Sequence, residues 1–446
     1  MEIELRRISV VGLGKLGLPL AASFAWKGFS VIGLDADSRK VKAVNKGVSP
    51  IYEPGLQDII SASQGRLTAT QGYVEAVMDS DVTFILVSTP SEKDNTFSLQ
   101  YVIEVVEQIG EAIRDKPSYH LVVLTSTVMP GATQNALKPL LEARSNKRCG
   151  KDFGLCYNPE FVALGSVVHN LVNPDFILIG ESDSNSGTIL ANLYRRFCEN
   201  NPPVARMSLI NAELTKLAVN TYITTKITFA NLLAYICERL PGADADIVTS
   251  ALGLDSRIGR KYLKGAIGYG GPCFPRDNLA FIALARSLGI PAILAQATSD
   301  FNRQQVFRMK EIIKGHLSQD SKVGILGLAY KPNSDVVEEA QGVLLAQSLV
   351  NDGVTVIAYD PVAMDNAHPV LDNSVNFASS AKELISKSDI VIVTTPWDEF
   401  KKISYMEFAR PNQPRVLIDC WRIFNNMKQK DGVIYVPLGV GGFNRR

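Results

Sequence analysis

Ile8-Ser-Val-Val-Gly12-Leu-Gly14-Lys-Leu16-Gly17, followed by Phe29-Ser-Val-Ile-Gly-Leu-Asp35, is the stretch that decides the fold. Arg7 to Leu13 reads as a parallel strand buried on both faces, because its apolar run does not alternate with polar residues. The glycines then turn the chain into a helix pattern that continues through Lys27, and the next strand ends on an acid 23 positions after Gly12. Each glycine has its own task. Gly12 makes the turn, Gly14 admits a pyrophosphate to the backbone, and Gly17 lets helix meet strand, with Leu16 in the same turn. Asp35 would accept from a ribose 2′-OH and repel a 2′-phosphate, which favours NAD over NADP. Three glycines at this spacing are weak alone; the flanking strand, helix and terminal acid make them specific.

Further strands are expected at Val82–Val87, His120–Thr125 and Phe153–Tyr157. The first runs into Ser88-Thr89-Pro90 and the second into Ser126-Thr127-Val128-Met129-Pro130-Gly131. Ligands of such sheets bind beyond the carboxyl ends of the strands, so Thr89, Pro90 and Thr127 are candidate cofactor contacts. Ordinary turn chemistry is the alternative for each taken singly. The theme returns late in the chain. Thr355-Val-Ile-Ala-Tyr-Asp360 matches Val31 to Asp35, and Asp389 to Pro396 matches Asp81 to Pro90, after a glycine-bearing strand exit at Lys322–Pro332. Only Gly324 and Gly327 lie near that strand, so this second half is expected to hold another nucleotide-like ligand rather than a second NAD.

The expected fold class is α/β, with two Rossmann-like doubly wound domains joined by a long central helix and a helical dimerisation region. Residues 1–204 would bind NAD, 205–310 would form the helical middle, and 311–446 would bind the nucleotide part of a substrate. A chain of 446 residues is long enough for such an arrangement. With 20% charged residues and a net charge of +1, a general nucleic-acid or membrane-surface role is disfavoured. The six cysteines show no Cys-x-x-Cys pair, so neither a zinc site nor a disulfide framework is indicated, and a reducing cytoplasm fits. The charged opening leads straight into a strand and no apolar run reaches about 18 residues, so secretion and membrane spanning are not expected.

In the middle, Asn211 to about Leu240 is apolar at helical spacing over about 30 residues, a helix about 45 Å long. Lys216 and Asn220 lie one turn apart on it, hence on one face, where a solvent-facing lysine is the ordinary expectation. Beyond it, Gly268-Tyr-Gly-Gly-Pro-Cys273-Phe-Pro-Arg-Asp277 ends a glycine-rich loop on a cysteine just ahead of a helix-like run from Asn278 to Gly289. Pro275 suits a first helical position. A cysteine there meets unpaired N–H groups and the positive end of the helix dipole, which favours a thiolate. The glycines let backbone or substrate approach the sulfur. A buried structural cysteine after a turn is the competing reading.

Together these segments resemble the UDP-glucose/GDP-mannose dehydrogenase family, the nucleotide-sugar 6-dehydrogenases. The resemblance rests on Gly12-x-Gly14-x-x-Gly17, Ser126 to Gly131, Asn158-Pro-Glu160-Phe161, Lys216-x-x-x-Asn220, Gly253-Leu-Asp-Ser-Arg257-Ile-Gly259, the cysteine loop, and Gly327-Leu-Ala-Tyr-Lys331-Pro332, in order over nearly the whole chain. It implies a primary alcohol taken to a carboxylate with two NAD, through a thiohemiacetal and then a thioester on Cys273. It also implies roles: Lys216 and Asn220 as oxyanion donors, Asp277 working with the lysine on a water, Glu160 assisting hydrolysis, and Thr127 near the reacting centre. Arg257, Tyr262, Lys264, Gly270 and Lys331 would join Glu160, Lys216 and Asn220 around the sugar nucleotide, with Arg257 arriving from the second subunit of a homodimer. UDP-glucose leads as substrate; another UDP-hexose or GDP-mannose, a one-step 6-phosphogluconate-type dehydrogenase, and a non-catalytic nucleotide-sugar-binding protein are the alternatives. None of the four histidines (120, 169, 316, 368) falls in these motifs. The chain departs from the family's usual pattern at Val162-Ala163-Leu164, at Pro272, at Glu338 (where arginine is common, leaving Arg422 or Lys331 as the candidate counter-charge) and at Trp421.

Overall fold

A computed structural model describes residues 5–63, 65–424 and 431–442; the charged opening at 1–4 lies outside them. The chain divides into two compact units, Met1–Ala218 and Val219–Arg446.

The first unit is built on an eight-stranded sheet. Its strands are β1 (Arg7–Val11), β2 (Ser30–Leu34), β3 (Leu67–Thr70), β4 (Val82–Ile85), β5 (His120–Leu124), β6 (Phe153–Tyr157), β7 (Ile177–Glu181) and β8 (Val204–Ser208). Their spatial order is β3-β2-β1-β4-β5-β6-β7-β8. All neighbours are parallel except β6 and β7, which run antiparallel. Alternate side chains leave the sheet on opposite faces. Ile8, Val10, Val82, Phe84, Leu121 and Val123 enter one core, while Val11, Ile85, Val122 and Leu124 enter the other. Burial on both faces explains the continuous apolar runs. β4 stops at Ile85 and β5 at Leu124, short of the expected Val87 and Thr125. Gly12, at φ +94°, turns β1 away just beyond Val11, and the ladder ends with it.

The second unit carries an all-parallel sheet of β9 (Lys322–Leu326), β10 (Thr355–Tyr359), β11 (Asn376–Phe377), β12 (Ile390–Val393), β13 (Arg415–Asp419) and β14 (Val433–Pro437). Its order, β11-β10-β9-β12-β13-β14, repeats that of the first six strands of the other sheet. The match extends to atoms. Gly12 N donates to Leu34 O at 2.7 Å, and Gly327 N to Tyr359 O at 2.9 Å. A Cβ on Gly17 would fall 1.8 Å from Gly12 O, and one on Gly342 would fall 2.2 Å from Gly327 O. Gly342 therefore occupies the helix-meets-strand position in the second half. Ten more residues separate it from the turn glycine than separate Gly17 from Gly12, which hides the fingerprint from a fixed-spacing reading.

The long helix spans Leu209–Cys237, 29 residues, and contributes to both units. Helices Ala245–Leu252, Phe274–Ser287 and Ile293–Lys314 follow. Among the described residues no helix is long and apolar enough to cross a membrane.

Candidate functional site

The dinucleotide corner is formed as its residue types require. Gly12 has a left-handed backbone and stands against Leu86 O, where a Cβ would lie 2.3 Å away. A Cβ on Gly14 would meet nothing within 4 Å, so this glycine faces open space at the start of the helix Gly17–Trp26. Asp35, at the end of β2, accepts from Leu13 N at 2.8 Å, Lys40 Nζ at 3.1 Å and Asp37 N at 2.9 Å. These bonds aim the carboxylate at the turn. Thr89 Oγ1 donates to Thr127 O at 2.7 Å, and Ser126 Oγ to Val87 O at 2.7 Å, joining the two Ser/Thr loops at the carboxyl ends of β4 and β5. The open space at Gly14, the helix N-terminus and the directed acid fit the pyrophosphate and ribose of NAD.

A second group stands in the same unit. Lys216 is only 7% exposed, contrary to the solvent-facing expectation for a helical lysine. Its Nζ donates to Glu160 O at 2.6 Å and lies 4.7 Å from the Phe161 ring centroid. Burial pushes the Glu160 carboxyl up to about 7, although the nearby Lys216 ammonium and the Tyr194 hydroxyl at 3.5 Å both act to lower it. A carboxyl held near neutrality can exchange a proton in either direction at working pH. Two acids absent from the sequence reading hold this region in place. Glu213, one turn before Lys216 on the long helix, accepts from Gly131 N at 2.5 Å and Thr133 N at 2.8 Å, fixing the end of the Thr127 loop. Glu53 accepts from Gly165 N and Val167 N, both at 2.8 Å, while Val162 and Leu164 pack on the core. The apolar departure after Phe161 is thus absorbed by packing.

The second unit carries the cysteine. The helix begins at Phe274 with Pro275 in its first turn, as the sequence led one to expect; Cys273 is the N-cap and is exposed. One turn on, Asp277 is 1% exposed and its Oδ2 accepts from Asn220 Nδ2 at 2.6 Å. The loop glycines answer to backbone and ring packing. A Cβ on Gly270 would meet Glu339 O at 2.1 Å, and one on Gly271, at φ +86°, would meet the Tyr330 ring at 2.6 Å. Tyr262, at φ +63°, stands edge-on to Phe274 at 6.3 Å. Lys264 Nζ lies 3.9 Å from Asp246. The Arg257 side chain is 86% exposed and paired with Asp255 at 2.6 Å. Lys331 Nζ lies 5.9 Å from the Tyr330 ring. Arg422 is not available as a counter-charge for Glu338: it is buried and bonded to Asp246, Gly265 O and Leu438 O. Trp421 instead donates its Nε1–H to Thr394 O at 2.8 Å, across the ends of β12 and β13.

A glycine-cornered turn, an acid closing the next strand, and a doubly wound sheet define an NAD-binding dehydrogenase of Rossmann type. Three family models cover the chain in sequence. The NAD binding domain of the UDP-glucose/GDP-mannose dehydrogenase family matches residues 6–198, its central domain 210–304, and its UDP binding domain 324–426. UDP-glucose 6-dehydrogenase AglM of Haloferax volcanii is 37% identical over 97% of this chain and 99% of its own length. GDP-mannose 6-dehydrogenase of Pseudomonas putida is 34% identical over 89% and 93%. The structure of a UDP-glucose dehydrogenase from Pyrobaculum islandicum superposes with a TM-score of 0.87 at 34% identity, covering 100% of this chain and 99% of that one. The chain belongs to the UDP-glucose/GDP-mannose dehydrogenase family and is an NAD-dependent nucleotide-sugar dehydrogenase.

Proposed function

We propose that the chain oxidises C6 of a nucleotide hexose, UDP-glucose first among them, from alcohol to carboxylate through a covalent intermediate on Cys273. The observation that carries this reading is the place of the sulfur: exposed, at the N-cap of Phe274–Ser287, one turn before a buried aspartate held by Asn220. NAD, held by Gly12, Gly14, Leu16, Gly17, Asp35, Thr89, Pro90 and Thr127, would supply a two-electron acceptor twice per sugar, once for the C6 alcohol and once for the Cys273 adduct, before water releases the acid. The Cys273 thiolate, favoured by the helix N-terminus, adds to the half-oxidised C6 and keeps it from escaping. Lys216 and Asn220 donate to the oxygen on that carbon as it gains negative charge. Asp277 takes the hydroxyl proton through water. Glu160, near neutrality, takes a proton from the water that releases the acid from sulfur.

Arg257, Tyr262, Lys264, Gly270 and Lys331 are the proposed partners of the sugar nucleotide. Arg257 is proposed to act across a homodimer. Tyr222, Phe229 and Ile236 recur every seven residues on the long helix and are 65%, 47% and 45% exposed, an apolar stripe suited to a second copy of that helix. The functional divisions 1–204, 205–310 and 311–446 are part of the proposal; as structural limits the first falls inside β8 and the second inside the helix Ile293–Lys314.

A panel of UDP-, GDP- and TDP-hexoses, scored as NADH formed per mole of sugar, tests the reading. Two NADH per UDP-glucose with a uronate product is the expected result. One NADH with a carbonyl product would replace it with one-step oxidation. Binding of NAD and UDP-sugars with no NADH formed would make the chain a binding protein.

A further inference from the structure

We propose that Asn302 and Gln341 are positioning residues that set the reactivity of Cys273 by holding the backbone of its loop, an inference that rests on the covalent role of that sulfur. Residues 264–272 lie in neither helix nor strand, yet Ala266 to Gly271 are buried. A buried loop needs partners for its backbone groups. Side-chain amides provide them here. Asn302, on the helix Ile293–Lys314, accepts from Tyr269 N at 2.8 Å and donates to Tyr269 O at 3.0 Å. Gln341 donates to the same carbonyl at 3.1 Å. Asn231, on the long helix, accepts from Ala266 N at 2.8 Å and donates to Ile267 O at 3.0 Å. Gly271 N donates to Glu338 O at 3.0 Å.

An amide is the side chain suited to this task. It carries a donor and an acceptor in one plane, so it can stand where a neighbouring strand would, whereas a carboxylate lacks the donor. The fit is close. A Cβ on Gly268 would lie 2.7 Å from both Asn302 Oδ1 and Gln341 Oε1, so the two amides require glycine there. Tyr269 in turn stands edge-on to Phe274, the residue after the cysteine, with ring centroids 6.4 Å apart. Cys273 stands at the end of this loop as the N-cap of Phe274–Ser287, so the loop backbone sets where its sulfur is presented. Gln341 opens the helix Gln341–Asn351, directly before Gly342, so it ties the cysteine loop to the strand exit of the second sheet.

The test uses the full-length protein with Asn302→Asp, which cannot donate to Tyr269 O, and Gln341→Met, which keeps length without a donor. Iodoacetamide labelling of Cys273 is followed by peptide mass spectrometry as a function of pH, beside kcat and KM for UDP-glucose. Displacement of a reacting group by an ångström can cost on the order of a hundredfold, so Asn302→Asp should lower kcat about tenfold or more with KM moved far less. The labelling profile should shift along the pH axis, and Gln341→Met should show the same changes to a smaller degree. Unchanged labelling and kcat in both variants, even with a lowered melting temperature, would reduce the amides to scaffolding and overturn the proposal. If Asn302→Asp does not fold, Gln341→Met decides alone. Wild-type protein that stays active after complete Cys273 labelling would strike the covalent role itself, a separate outcome.

Discussion

The Arg422 guanidinium closes on the Asp246 carboxylate through two bonds, Nη2 to Oδ1 at 2.7 Å and Nε to Oδ2 at 2.8 Å. The arginine side chain is 2% exposed and that of Asp246 36%, so the pair binds the turn after β13 to the helix Ala245–Leu252 with its cation buried and its carboxylate partly screened by water. Burial alone would raise the Asp246 pKa; the Arg422 bonds outweigh it and hold the carboxyl below its ordinary value. The stabilisation is therefore present at neutral pH and lost as pH falls through that depressed pKa. Arg422→Ala should cost about 1.5–3 kcal/mol in denaturant unfolding, since the partly exposed Asp246 carboxylate left behind can be hydrated, and adding Asp246→Ala should cost less than the two single changes summed.

Cys273→Ser removes the nucleophile and keeps the loop. It should abolish the formation of two NADH per sugar, and mass spectrometry of stalled wild-type reactions should find a sugar-bearing adduct on Cys273. Full two-NADH turnover by the serine variant would remove the sulfur from the chemistry.

Glu160 titrates near neutrality because burial disfavours its charge. Its folded-state pKa lies above the unfolded value, so its contribution to stability is fully present below about pH 4.5 and is lost as pH rises through about 7. Glu160→Gln should flatten that part of the melting-temperature profile. In activity the sign is opposite, since the base form accumulates above about 7. Hydrolysis should rise through that pH in the wild type, and the glutamine variant should accumulate acylated Cys273 in rapid-quench samples.

Asp35→Ala removes the acceptor at the end of β2 and leaves Lys40, now 3.1 Å from it, without that partner. NAD should bind at least about tenfold more weakly, consistent with the loss of a charge-assisted bond, and NADP should gain relative to NAD. Unchanged selectivity would take Asp35 out of the ribose site.

Arg257→Ala should raise KM for the sugar nucleotide without lowering the melting temperature, because the side chain is exposed and its pair with Asp255 is screened. Phe229→Glu, in the apolar stripe, should shift the proposed homodimer to monomer in analytical ultracentrifugation. A monomeric variant with full activity would sink the shared-site reading.

The dinucleotide corner was legible because everything that makes it lies within about 30 residues: strand, turn, helix and Asp35 are one supersecondary unit. The N-cap position of Cys273 was legible for the same reason. Glu213 was not, since its partners Gly131 and Thr133 stand some 80 residues upstream and an acid on a helix is ordinarily a solvated one. Asn302 and Gln341 reach Tyr269 over 33 and 72 residues, beyond any local pattern. Gly342 was hidden by the longer connection after β9. The reversal at β7 left no mark either, because a short apolar run such as Ile177–Glu181 carries no sign of its direction.

Asp360 ends β10 as Asp35 ends β2, yet it is fully occupied within the protein. Leu328 N, Ala329 N and Trp397 Nε1 converge on one oxygen, and Val362 N and Ala363 N on the other. This carboxylate cannot greet a ribose as its counterpart can. If each sugar does surrender two hydrides, both must leave through the same doorway, with spent coenzyme vacating before fresh coenzyme enters. Surplus NADH would then queue at the one exit and throttle the cycle midway.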